Sequence, residues 1–227
     1  MKLSIRITMC GALLALTVPA VAGDGVTVGD QAPAFTLSDT AGDEVSLSDY
    51  SGKVVVLEWL NPDCPFVQRH YKAGTMKNLA AKYGAQGVIW LTVNSTKYMD
   101  AAANAKFRTA NDLPYPVLVD QSGEVGHLYG AMTTPHMYVI DGGGNLVYIG
   151  AIDDDPRGNK GRPADNYVAA ALAEVIAGTA VSTPEPQPSG RPVKYTNYFR
   201  YFRSHLSSYP PLRDNQNRKI ILIPVER

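Results

Sequence analysis

The residues of this chain best placed to do chemistry stand in one short run, Glu58-Trp59-Leu60-Asn61-Pro62-Asp63-Cys64-Pro65-Phe66-Val67. The sequence has Cys 2. Cys10 falls inside an N-terminal segment with the features of a cleaved leader, so Cys64 is the single thiol of the expected mature protein. It has no partner for an internal disulfide. In an oxidising compartment thiols ordinarily pair, so a solitary one is buried and inert, joined to another molecule, or used chemically. Pro65 suits a first helical position, where no amide donor is missed, and this places Cys64 where a strand hands over to a helix. The amides and partial positive charge of a helix N-terminus favour a thiolate, the nucleophilic form of cysteine. Asp63 opposes that effect, Arg69 is the candidate to offset it, and the sequence does not decide which dominates. Asn-Pro-Asp-Cys-Pro is turn chemistry and a poor place to bury a small hydrophobe, which points to a functional thiol over an inert one.

The elements that must position this cysteine follow from the hydrophobic pattern. Phe35–Leu37 and Val45–Leu47 flank the turn residues 39–43 and predict an N-terminal β-hairpin. The run 54–60 is apolar and rich in β-branched residues, as suits a strand buried on both faces. Residues 65–83 carry Val67, Tyr71, Met76, Leu79 and Tyr83 at helical spacing, with Gly74-Thr75 a candidate break and Gly84 a stop. A second buried strand is expected over 88–93, a helix over 101–111, a short strand over 115–119 and a short helix over 122–129. A hairpin joins 137–140 to 146–149 around Asp141-Gly142-Gly143-Gly144-Asn145, and a helix over 164–177 closes the domain. Strand-helix-strand units followed by a hairpin and a last helix predict an α/β sheet with helices on both faces.

Composition bounds the rest. The 227 residues are 45% hydrophobic, with 21 Lys+Arg against 21 Asp+Glu, enough for one full core and too balanced for a nucleic-acid-coating protein. Lys2 and Arg6 precede an apolar run from Ile7 to about Val18, and Ala20-Val21-Ala22 supplies the small-x-small pattern of a cleavage site. Residues 1–22 are therefore expected to be a signal peptide and the protein to be exported, periplasmic or secreted. No run reaches the roughly 18 apolar residues of a membrane span. Residues 179–194, with Pro184, Pro186, Pro188 and Pro192, predict a linker. Residues 195–227 form a basic, aromatic tail: from Gly190 onward there are eight Lys/Arg against two acids, whereas Gly23 to Ser189 holds eleven against nineteen.

Other candidate groups are weaker. His70 lies about 240° round a helix from Cys64, and Cys64, His70 and His136 do not make a metal-binding set. Asp153-Asp154-Asp155 lacks the spaced ligands of a calcium loop and is expected to be a solvated turn. Asn94-Ser95-Thr96 matches a glycosylation acceptor but sits at a strand end where such residues make turns. No Gly-rich phosphate loop is present, and no cofactor or metal is expected.

The strand-Cys-Pro-helix segment, together with Thr133-Thr134-Pro135-His136 opening the strand 137–140, resembles the thioredoxin superfamily. The closest branch is the redoxins with the alkyl-hydroperoxide-reductase/thiol-specific-antioxidant (AhpC/TSA) proteins, and the resemblance covers about residues 26–178. It implies a thioredoxin-like fold with a central mixed sheet flanked by helices, and a cis proline at Pro135 that packs with Thr134 beside the active cysteine. The active site can be laid on this chain in two registers. As a peroxiredoxin T-x-x-C, Asn61 replaces the threonine and donates to a peroxide oxygen or the thiolate. As a thioredoxin C-x-x-C, Val67 replaces the second cysteine and Glu58 matches a buried proton-transfer acid. A carboxylate in such a strand has a raised pKa if it faces inward; facing outward it is ordinary surface. Pro65, Arg69 and His136 are supporting candidates. Peroxiredoxins carry an arginine near the start of the strand at Pro135, for which His136 is the nearest substitute. Similar proteins carry a late cysteine in a Gly-Cys-x-Val-Lys-Tyr segment, where this chain has Gly190-Arg191-Pro192-Val193-Lys194-Tyr195.

The resemblance therefore implies a thiol-dependent oxidoreductase in which Cys64 reduces a hydroperoxide and is regenerated by an external thiol, or a monothiol disulfide-exchange protein acting on a protein disulfide. A non-catalytic thioredoxin-fold binding module is the third possibility. Oligomerisation is open, since a second subunit's Cys64 could serve as partner.

Overall fold

A computed structural model describes residues 25–196; the expected leader and the tail from 197 onward lie outside the described residues. The elements in chain order are β1 (Thr36–Ser38), β2 (Glu44–Ser46), β3 (Val55–Trp59), α1 (Pro65–Lys72), α2 (Thr75–Gly84), β4 (Ile89–Asn94) and α3 (Ala101–Ala110). After them come β5 (Val117–Val119), α4 (Glu124–Leu128), β6 (Thr133–Thr134), β7 (His136–Ile140), β8 (Leu146–Gly150), α5 (Tyr167–Ile176) and β9 (Arg191–Pro192). The helix expected over 65–83 breaks at Gly74, whose φ of 71° is left-handed and favours glycine.

Five strands form the central sheet in the order β5-β4-β3-β7-β8. β3 runs parallel to β4 and antiparallel to β7, which makes the sheet mixed, as the resemblance implies. β1 and β2 pair as the predicted hairpin. Every residue of β3 is buried, so its alternation sends side chains into two cores rather than to a core and solvent. Val55, Leu57 and Trp59 join Phe35, Leu91, Tyr129, Tyr138 and, from the last described residues, Val193 and Tyr195. Val56 joins Met76, Leu79 and Tyr83 of α2 and Val168, Ala171 and Leu172 of α5. Helices thus dominate one face. The other carries α4, the hairpin and the last described residues.

The Pro-rich segment does not run free as a connector. Pro184 and Pro186 accept hydrogen bonds from the Ile149 and Ala151 amides along the outer edge of β8 (2.9 and 3.1 Å). β9 pairs antiparallel with β6, Thr134 opposite Arg191 and Thr133 opposite Pro192. Val193 then donates to Met132 O, Lys97 donates to Lys194 O, and the Tyr195 hydroxyl donates to Ala131 O at 2.7 Å. Composition suggested a linker because proline cannot donate to a ladder. Here only the proline carbonyls are used, as acceptors for an edge strand that would otherwise be open.

Candidate active site

Cys64 is the N-cap of α1 with Pro65 at its first turn. The turn that delivers it is built by Asn61, whose carbonyl accepts from the Cys64 amide (2.9 Å) and whose Oδ1 accepts from the Asp63 amide (2.9 Å). This is the side-chain turn that Asn favours. The thiol donates to Thr134 O at 2.9 Å, and the Thr134–Pro135 bond is cis. Residues 70 positions apart in the chain are therefore in direct contact. Cys64 is nevertheless only 1% exposed, in a small cluster with Leu60 and Val67 on which Phe66, Tyr71 and Phe107 pack. Turn chemistry predicts a more open thiol. It is closed by its own neighbours Leu60, Phe66, Val67 and Tyr71 together with Phe107 and Thr134 from farther along the chain.

Glu58 is 0% exposed, which settles its orientation inward, on the face of Trp90 and Thr92. Oε1 accepts from the Tyr71 hydroxyl at 2.9 Å, and Oε2 accepts from Trp90 Nε1 at 3.0 Å and from the Thr92 hydroxyl at 3.4 Å. Burial raises its pKa to about 7 against the restraining effect of these three donors. Tyr71 packs against the cluster of Leu60, Cys64 and Val67, and its hydroxyl meets Glu58. The spacing of seven residues from Cys64 put Tyr71 on the same helix; its partner across the fold carried no sequence signal.

Of the expected supporting residues, Pro65 follows Cys64 directly at the start of α1, whereas Arg69 and His136 engage other groups. Arg69 turns to His70 (Nη2 to Nε2, 2.9 Å) and to Asp153 (3.4 Å), with 29% of its side chain exposed, instead of to Asp63. His70 is buried, its pKa lowered to about 4 by burial and by the Arg69 charge. His136 lies opposite Trp59 in the β3–β7 ladder and touches the Tyr138 hydroxyl (3.0 Å) and the Met132 amide (3.4 Å) through Nδ1. Burial lowers its pKa to about 3. It is a neutral core imidazole at physiological pH and cannot supply the cationic charge of a peroxiredoxin arginine. The Asn61 amide donates to the Tyr98 hydroxyl (3.3 Å). The aspartate run is a correction of another kind: Asp153 and Asp155 are buried, Asp155 accepting from the Asn159 and Lys160 amides and Asp154 pairing with Lys160 and Arg162. Asn94, Ser95 and Thr96 are also fully buried and closed to a glycan. Among the described residues no group of three His, Cys, Asp or Glu is arranged to hold a metal ion.

Gly190 reaches the carbonyl of Thr134 so closely that a Cβ there would overlap it. Arg191, where the resemblance places a second cysteine in similar proteins, stands opposite Thr134 in the β6–β9 pair. Beside these groups lies a cavity of about 440 Å³ whose walls include Phe66, Thr133, Asp155, Arg157, Lys160 and Gly190.

Comparison with known proteins agrees with this geometry. The profile of the AhpC/TSA family matches residues 28–149. A thiol-disulfide oxidoreductase ResA from Geobacillus thermodenitrificans (strain NG80-2) is 34% identical over 125 residues, 55% of this chain and 69% of its own length. A Mycobacterium tuberculosis (strain CDC 1551 / Oshkosh) protein provisionally named a peroxiredoxin is 30% identical over 134 residues, 57% of this chain and 80% of its own. An uncharacterized conserved protein from Geobacillus kaustophilus of known structure superimposes with a TM-score of 0.70 at 30% identity, covering 80% of this chain and 98% of that one. With a cysteine capping the helix after the central strand, a cis Thr134–Pro135 bond against it and a family profile spanning more than half of the sequence, the chain belongs to the AhpC/TSA family of thioredoxin-fold proteins.

Proposed function

We propose that this protein is a single-cysteine thiol oxidoreductase that exchanges external thiols with disulfides through Cys64. The observation that carries the reading is the pairing of the Cys64 sulfur with Thr134 O, with a buried acid, Glu58, bonded to Tyr71 of the helix that Cys64 caps and raised by burial to a pKa of about 7. In the first step Cys64 thiolate attacks one sulfur of the substrate disulfide. The Cys64–sulfur bond forms as the substrate sulfur–sulfur bond breaks, and the departing thiolate takes up the proton that Cys64 gave. An external thiolate then attacks the mixed disulfide, regenerating Cys64 and releasing a new disulfide, so electrons balance without a second protein cysteine. Glu58 holds the proton between steps. Trp90 Nε1 can only donate, so the acid's proton belongs on Oε1 and faces the Tyr71 hydroxyl.

Hydroperoxide reduction by the same sulfur, through a sulfenic acid that external thiols reduce to water and a disulfide, is the second reading; the family profile and the mycobacterial relative favour it. Against it, the candidate cations are engaged elsewhere or neutral and the Asn61 amide is held by Tyr98. The test is turnover of a small symmetric disulfide with excess thiol by the purified protein and by Cys64→Ser. Exchange that disappears in the serine variant is expected. Equal turnover by both proteins overturns the exchange reading, and rapid trapping of a Cys64 sulfenic acid by hydroperoxide with no exchange replaces it with the second. Export is proposed on the leader-like residues 1–22; N-terminal sequencing of the protein recovered from outside the cytoplasm checks it, a start at Gly23 being expected.

A further inference from the structure

We propose that residues 184–195 form a strap that occupies the edge of Thr133–Thr134 where an extended polypeptide would pair, so that Cys64 serves low-molecular-weight disulfides and excludes disulfides of folded or extended proteins. This rests on the exchange reading above and names its substrate class. An exposed strand edge next to a reactive group is a natural site for β-strand addition, with main-chain hydrogen bonds supplying affinity. Here β9 holds that edge in register, and the Thr134 hydroxyl reaches the Arg191 carbonyl. The carbonyl that receives the Cys64 thiol is the one Gly190 lies against. A peptide cannot pair with β6 or approach this sulfur from that edge while the strap is in place. The space left beside the strap, about 440 Å³, is lined by Phe66, Thr133 and Gly190, which neighbour Cys64 and Thr134 without including them; it suits a small molecule and not a protein chain.

Two glycines are shaped to the strap. Gly190 abuts Thr134 O, and Gly150 abuts Pro186 O, each so closely that an added Cβ would overlap backbone. Neither has the left-handed φ that demands glycine for its own backbone. Their lack of a side chain is explained by the strap contact alone. At the far end Tyr195 stacks on His127 with ring centroids 4.0 Å apart and is anchored by its hydroxyl to Ala131 O, so the strap is held at both sides of the site.

The test compares the chain from Gly23 onward, in which Cys64 is the single thiol, with its Gly150→Ala and Gly190→Ala variants, which disturb the strap at separate points. Each protein is labelled at Cys64 with iodoacetamide and with a 5-kDa maleimide–polyethylene glycol, and is assayed for exchange with oxidised glutathione and with insulin. For the native chain, labelling by the large reagent and exchange with insulin are expected to be at least tenfold slower, relative to the small partner, than in either variant. Circular dichroism and the rate with the small reagent monitor folding, and one folded variant suffices. Large-to-small ratios within twofold of native in the folded variants overturn the proposal. So does insulin exchange by the native chain as fast as glutathione exchange. Absence of exchange with either disulfide refutes the catalytic reading instead, and the labelling ratios still judge the strap because they need only the thiol.

Discussion

Replacing Glu58 with glutamine should alter the pH dependence of stability in a way fixed by its burial. Glu58 has its pKa raised from 4.5 to about 7. Below pH 4.5 the carboxyl is protonated in both folded and unfolded chains and costs nothing. Between 4.5 and 7 the unfolded chain has released the proton while the folded chain retains it, so stability falls as pH rises and levels off above 7. At 1.36 kcal/mol per unit of pKa difference, native stability should drop by about 3 kcal/mol across that window from this residue. Glutamine does not titrate. It fits if its oxygen faces the donors Trp90 and Thr92 and its NH2 group faces Tyr71, whose hydroxyl can turn to accept. Urea unfolding of both proteins from pH 4.5 to 8.5, followed by the fluorescence of Trp59 and Trp90, should show Glu58→Gln gaining about 3 kcal/mol on the native protein from the acid to the alkaline end. A gap constant within 0.5 kcal/mol would refute the argument. Tyr71→Phe removes a donor that holds the acid's pKa down, and should move the native break upward in pH.

The remaining expectations concern the displaced supporting residues. His136, lowered from 6.5 to about 3, stays neutral when the unfolded chain takes a proton, so it removes stability as pH falls below 6.5, amounting to about 3 kcal/mol at pH 4.5. His136→Gln should flatten the acid limb of the stability profile by that amount, and an unchanged limb would show an accessible imidazole. Arg69→Gln breaks a partly exposed pair with Asp153 and should cost about 1 kcal/mol in urea unfolding. The rate of Cys64 with iodoacetamide should stay within twofold, where a residue supporting the thiolate would slow it severalfold.

The sheet and its helices were open to prediction because both are written in local periodicity. The run at 54–60, apolar apart from Glu58, suited a strand covered on both sides, and Gly74 broke a helix where left-handed backbone was needed. Cys64 stood out for the same kind of reason: Pro65 and the strand before it fix a helix N-terminus within a few residues. Glu58 was left open between core and surface. Its direction depends on the partners across β3, and these lie in β4 and β7.

What the sequence determined by itself is the α/β framework and the chain position of its one candidate nucleophile, since these depend on neighbours within a turn or a strand. What only the tertiary structure decided is the setting of that sulfur. The Thr134 carbonyl that receives it, the bond from Tyr71 to the buried Glu58, the diversion of Arg69 to Asp153 and the pairing of Arg191–Pro192 with Thr133–Thr134 all join separate segments of the chain. Their energies come from burial and from matching donors to acceptors across the core, quantities that no local pattern of residues encodes.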